Sequence, residues 1–90
     1  MLILDPKSWR VEAGLTLAAV AANAGIGGAN PAKTYSRYET GESPCPATVV
    51  EAVRTLSGGL VGAEAFHAAR MRFLRQRAEP PEAAAAGSNR

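Results

Sequence analysis

The stretch GIGGANPAKTYSRYETGE, residues 25–42, decides how this chain is read. It admits two interpretations. Gly27 followed by Ala32-Lys33-Thr34 falls a single residue short of the phosphate-loop pattern G-x-x-x-x-G-K-[ST]. That loop needs its second glycine so that backbone amides can wrap a phosphate, and Ala32 puts a Cβ there. Pro31 removes one of the amides. The loop should also leave a buried parallel strand, whereas here it leaves the alanine-rich run Leu17-Ala18-Ala19-Val20-Ala21-Ala22. A nucleotide-hydrolysing site is therefore set aside.

The second interpretation takes the glycines as a long bend between two helices. Asn30-Pro31 combines a capping side chain with a proline at the first helical position, where its missing N–H costs nothing. A helix is expected from Pro31 to about Glu39, stopped by Thr40-Gly41. Tyr35 and Tyr38 fall on one side of it, to pack on the preceding helix. Lys33, Thr34 and Arg37 fall on the other.

The same punctuation runs along the rest of the chain. Asp5-Pro6 opens a first helix, Lys7 to Ala13, with Trp9 as its core residue and Gly14 after it. Thr16 caps a second, Leu17 to about Ala24, in which Leu17, Val20, Ala21 and Ala24 recur at helical spacing. A fourth is expected from Pro46 to Leu56, with Val49, Val50, Val53 and Leu56 on one side, ended by Ser57-Gly58-Gly59. A fifth, Ala63 to about Arg77, carries Phe66, Ala69 and Phe73 along one stripe. From Ala78 the sequence AEPPEAAAAGSNR has nothing large to pack, so 1–77 is expected to form one domain and 78–90 a disordered tail. The expected class is all-α: five short helices with an extended turn between the second and third.

Composition agrees. Ninety residues allow one small core, and the 47% hydrophobic content, much of it alanine, suits close-packed helices better than a sheet. A formal charge of +2 names no partner by itself; distribution matters more. The bases gather at Lys33–Arg37 and at Arg70, Arg72, Arg75 and Arg77. One cysteine, Cys45, and one histidine, His67, build neither an internal disulfide nor a metal site. No cofactor or small-molecule ligand is expected. No apolar run reaches the ~20 residues that span a bilayer, and MLIL followed by Asp5 is no signal peptide. The expectation is a cytoplasmic protein with no membrane association.

A helix, a glycine-containing turn and a short helix with polar residues on its outward face form a helix-turn-helix arrangement, whose second helix enters the major groove of DNA. Here the chain resembles the lambda-repressor/Cro-like helix-turn-helix transcriptional regulators. The resemblance is carried by Arg10, Gly14-Leu15-Thr16, Gly25-Ile26 and the block Ser36-Arg37-Tyr38-Glu39-Thr40-Gly41 with Pro44 beyond it, and it covers about Trp9 to Phe66. In three places the chain departs from the family. The segment Gly27–Tyr35 is longer than the family turn; Leu17 stands where the family commonly has Gln; Glu42 stands where a basic residue is frequent.

The resemblance implies double-stranded DNA as partner and a residue set facing it: Thr16, Leu17, Asn30, Ala32, Lys33, Thr34, Arg37 and Thr40. Arg37 is the leading candidate for reading a guanine through two hydrogen bonds. Lys33 and Thr34 belong near base edges or phosphates, and Ala32 near a thymine methyl. Thr16 and Asn30 serve as helix caps beside the phosphates. Arg10 and Glu39 are implied as a structural ion pair tying the first helix to the end of the third. Phe73, Met71 and Leu74 extend the apolar surface of the fifth helix and are an expected dimer contact, and the neighbouring arginines form a solvated face or reach flanking phosphates. The function expected is that of a sequence-specific transcriptional regulator, a repressor that occupies a palindromic operator as a homodimer. The alternative is a protein-interaction module on the same fold, antitoxin-like or an anti-activator partner. No paired carboxylates, Ser-His-Asp set or metal ligands suggest an enzyme.

Overall fold

A computed structural model describes residues 5–78 and contains five helices and no strand among them: α1 (Pro6–Glu12), α2 (Leu17–Asn23), α3 (Pro31–Thr40), α4 (Ala47–Leu56) and α5 (Ala63–Ala78). No described helix is long and apolar enough to cross a membrane.

The first three helices start where side chains replace missing intrahelical partners. Asp5 accepts from the Lys7 and Ser8 amides at 3.2 Å, Thr16 from Ala19 at 3.0 Å, and Asn30 from Lys33 at 3.2 Å. Each such cap contributes about 1 kcal/mol. Pro46, expected as the first residue of α4, is instead its N-cap and supplies no side-chain acceptor. Ala78, expected to begin the tail, is the last residue of α5; the rest of that expected tail lies outside the described residues.

α3 is the hub. It packs against α1, α2 and α5, while α4 packs against α5. One core cluster gathers Trp9, Val20, Ala21, Tyr35, Val49, Val53, Val61, Ala65 and Phe66. Tyr35 is fully buried and is the largest of these fully enclosed side chains. Leu56, expected on the buried side of α4, is 38% exposed. It shares a helical face with Val49 and Val53, but the last turn of α4 runs past the end of the core.

Ser57 locks the connection that follows. Its Oγ accepts from the Val61 amide at 3.0 Å and donates to the Arg54 carbonyl at 3.2 Å, which brings Val61 fully into the core.

Gly41 has a special place. It closes α3 with φ of +88°, a region that L side chains rarely adopt. A Cβ here would also run into the backbone of α5, against the Ala69 carbonyl oxygen and within 2.8 Å of the Arg70 nitrogen. α3 and α5 cross in contact at this point only because the side chain is absent.

Candidate nucleic-acid interface

The periodicity of α3 sorts its residues cleanly. Tyr35 and Glu39 are buried, and Pro31, Ala32, Thr34, Ser36 and Tyr38 are half-buried along the flanks. Lys33, Arg37 and Thr40 are exposed and follow one another at i, i+4 and i+7, so they form a single outward stripe. The helix is thus a rod with a packed inner side and a cationic outer side.

Its two ends are held differently. At the C-terminal end, Arg10 reaches across from α1. Its Nε donates to Glu39 Oε2 at 2.6 Å and its Nη2 to Oε1 at 3.3 Å, a fork-to-carboxylate pair. Nη1 donates to the Leu15 carbonyl at 3.1 Å, so the same guanidinium also fixes the α1–α2 turn. The side chains are 12% and 3% exposed. This bonding to Glu39 holds the Arg10 pKa above its ordinary value, against the opposing effect of burial. From α5, Arg70 Nη1 donates to the carbonyls of Gly41 and Glu42, both at 2.9 Å.

The N-terminal end has lighter support. Ile26, half-buried against the core, anchors the start of the bend through its amide to the Ala21 carbonyl at 3.0 Å. From Gly27 to Asn30 every residue is exposed. Asn30 caps the helix, and Thr34 Oγ1 donates to the Asn30 carbonyl at 3.3 Å.

Of the other residues expected at the interface, Thr16 is exposed and occupied as the cap of α2. Leu17 is half-buried and packs against the core, so its apolar body is accounted for by packing. Thr40 Oγ1 donates to the Arg37 carbonyl at 3.3 Å and accepts from the Glu42 amide. The residues expected at a dimer contact divide. Met71 and Leu74 are about two-fifths exposed, whereas Phe73 is half-buried, with the Arg77 guanidinium 5.8 Å from its ring centre.

The basic cluster of α5 is less available than its sequence suggests. Arg70 closes α3, Arg72 pairs with Asp5 at 3.1 Å, and Arg77 lies over Phe73. Nothing local in the sequence marks the first two roles, because Gly41 and Asp5 lie in distant segments, whereas Phe73 and Arg77 are an i, i+4 pair on one helix.

A buried tyrosine and a half-buried cysteine have no part in the outward stripe. The Tyr35 hydroxyl has no hydrogen-bond partner among the described residues. Burial, and then the neighbouring Glu39 charge, push its pKa well above the ordinary phenol value. Burial likewise pushes the Cys45 thiol up to about 12, which leaves it protonated and unreactive at neutral pH. Among the described residues no group of His, Cys, Asp and Glu side chains is placed to hold a metal ion.

Comparisons with protein-family models, with curated proteins and with solved structures returned no match.

Proposed function

We propose that the chain is a sequence-specific DNA-binding transcriptional regulator of the lambda-repressor/Cro-like type, with α2 and α3 as its helix-turn-helix. The observation that carries this reading is the outward stripe of α3: Lys33, Arg37 and Thr40 exposed on a helix whose far end is fixed by two arginines. A groove-reading helix needs both properties. Its polar side must be free to meet base edges, and its orientation must be set beforehand so that binding does not have to order it.

In this reading Arg37 donates to a guanine and Lys33 to a base edge or phosphate. Thr16, Asn30 and Thr34 lie toward the backbone. Two copies, joined through Met71 and Leu74 of α5, would set their α3 helices about 34–36 Å apart on a palindromic operator. Repression follows from occupancy, as polymerase cannot share the site. The same exposed pair on α5 is what favours the second reading, an interaction module that grips another protein through α5.

A mobility-shift titration with the DNA upstream of the gene, at two salt concentrations, separates the two. The regulator reading expects the upstream duplex to bind well ahead of random duplex, with Arg37→Ala reducing that preference. Equal binding to both duplexes would overturn it and favour the interaction module.

A further inference from the structure

We infer that the groove between α4 and α5 is a binding site for a small amphipathic carboxylate, which rests its apolar body on Val50 and Phe66 and its charged end on Arg70. The groove is open to solvent and has a volume of about 420 Å³, within the range of pockets that hold small molecules. Pro44, Val50 and Phe66 give it apolar walls. Val50 and Phe66 belong to the packed core assembly, so these walls are preformed.

The charge balance selects the ligand. Arg70 lines the groove and uses only Nη1 on the carbonyls of Gly41 and Glu42. Its Nε and Nη2 donors have no partner among the described residues, and that edge of a guanidinium matches a carboxylate with two parallel hydrogen bonds. The acid of the groove, Glu51, is already engaged: Arg54 donates to it through Nε at 3.2 and 3.3 Å and through Nη2 at 2.8 Å. His67 adds a further donor on the α5 side. The lining therefore presents an unanswered cation beside an apolar surface. A neutral ligand would leave that cation unpaired, and a polyanion would make no use of the walls.

The occupant would share the guanidinium that closes α3, so its arrival should be felt at Gly41 and Glu42. The site does not depend on what α3 binds, and its test needs no DNA. Octanoate and octanol are titrated separately into the full chain and followed by amide chemical shifts and calorimetry. Octanoate is expected to saturate, to shift Val50, Phe66 and Arg70 together with Gly41 and Glu42, and to bind at least roughly tenfold more tightly than octanol, as a charge-assisted pair implies. Arg70→Gln should bring octanoate down to the octanol affinity. Ala63→Trp, which fills the groove from an exposed position on α5, should abolish binding while the circular dichroism stays unchanged, and it decides the matter if Arg70→Gln fails to fold. Equal affinity for the two compounds, binding that survives Ala63→Trp, or no saturable binding at all would overturn the site. So would shifts of these same residues that grow with protein concentration alone, since they would mark the groove as covered by a second copy.

Discussion

The two ends of α3 are built on opposite principles. The C-terminal end is held by contacts between segments far apart in the chain: Arg10 from α1 on Glu39, Arg70 from α5 on Gly41 and Glu42, and a glycine pressed against the backbone of α5. The N-terminal end is held by its own neighbours, through the Asn30 cap and the Thr34 hydroxyl. The first end fixes where the helix points, and the second leaves Lys33 clear of protein. Mutations at the two ends should therefore separate stability from binding.

The largest loss is expected at Gly41. Gly41→Ala puts a Cβ into the α5 backbone and forces an L residue to φ of +88°. Backbone strain of this kind costs about 1–3 kcal/mol and overpacking about 1–3 more. A domain this small holds roughly 5–15 kcal/mol in all, so much of its stability should vanish in urea denaturation. A change below about 1 kcal/mol would mean that α5 simply slides away, and the contrast between the two ends would be lost.

Glu39 comes next. Glu39→Ala strands the Arg10 guanidinium with little solvent around it and should cost about 3 kcal/mol. Arg10→Ala in the same background should then be far less harmful than in the wild type, a coupling that a double-mutant cycle reads directly. Additive losses would show that the two side chains act independently and that the fork seen in the structure contributes little.

How much of this could be read beforehand differs between the ends in the same way. Asp5, Thr16 and Asn30 announce their helices because a cap and its target lie two or three residues apart, and the helix boundaries accordingly fall within about a residue of expectation. The separation of Tyr35 and Tyr38 from Lys33 and Arg37 is equally local, although Tyr38 is only half-buried. Arg70 was expected to face solvent or phosphates, and no short-range pattern could have paired it with carbonyls 28 and 29 residues earlier. Gly41 was legible as a helix stop, but its contact with Ala69 depends on the crossing of α3 and α5. The Arg10–Glu39 pair was expected only through the family resemblance, since spacing alone joins neither residue to the other. The groove at Val50, Phe66 and Arg70 has no sequence signature, because two separate segments, residues 44–51 and 63–70, build it.

Asn30 tests the lighter end. Asn30→Ala removes one acceptor from the first turn of α3 and should cost about 1 kcal/mol, with Asn30→Asp close to neutral. Hydrogen exchange should locate the loss at the Lys33 and Thr34 amides and leave Gly41 and Ser43 as protected as before. Loss of protection along the whole helix would mean that the two ends unfold as one unit, so that the division drawn here has no energetic counterpart.

The smallest effect on stability should accompany the largest effect on binding. Lys33 and Arg37 are exposed and make no side-chain contact among the hydrogen bonds and ion pairs of the described residues. Replacing either with alanine should change unfolding free energy by no more than about 0.5 kcal/mol. Under the proposed function Arg37→Ala should nonetheless cost about 1–3 kcal/mol of discrimination at one base pair. If Lys33 contacts a phosphate, Lys33→Ala should instead weaken binding to all sequences alike and reduce the salt slope by about one. Should both variants keep wild-type affinity and salt dependence, the outward stripe would be an ordinary solvated face. The rigid end of α3 would then have to be explained as support for α5 and the groove beside it.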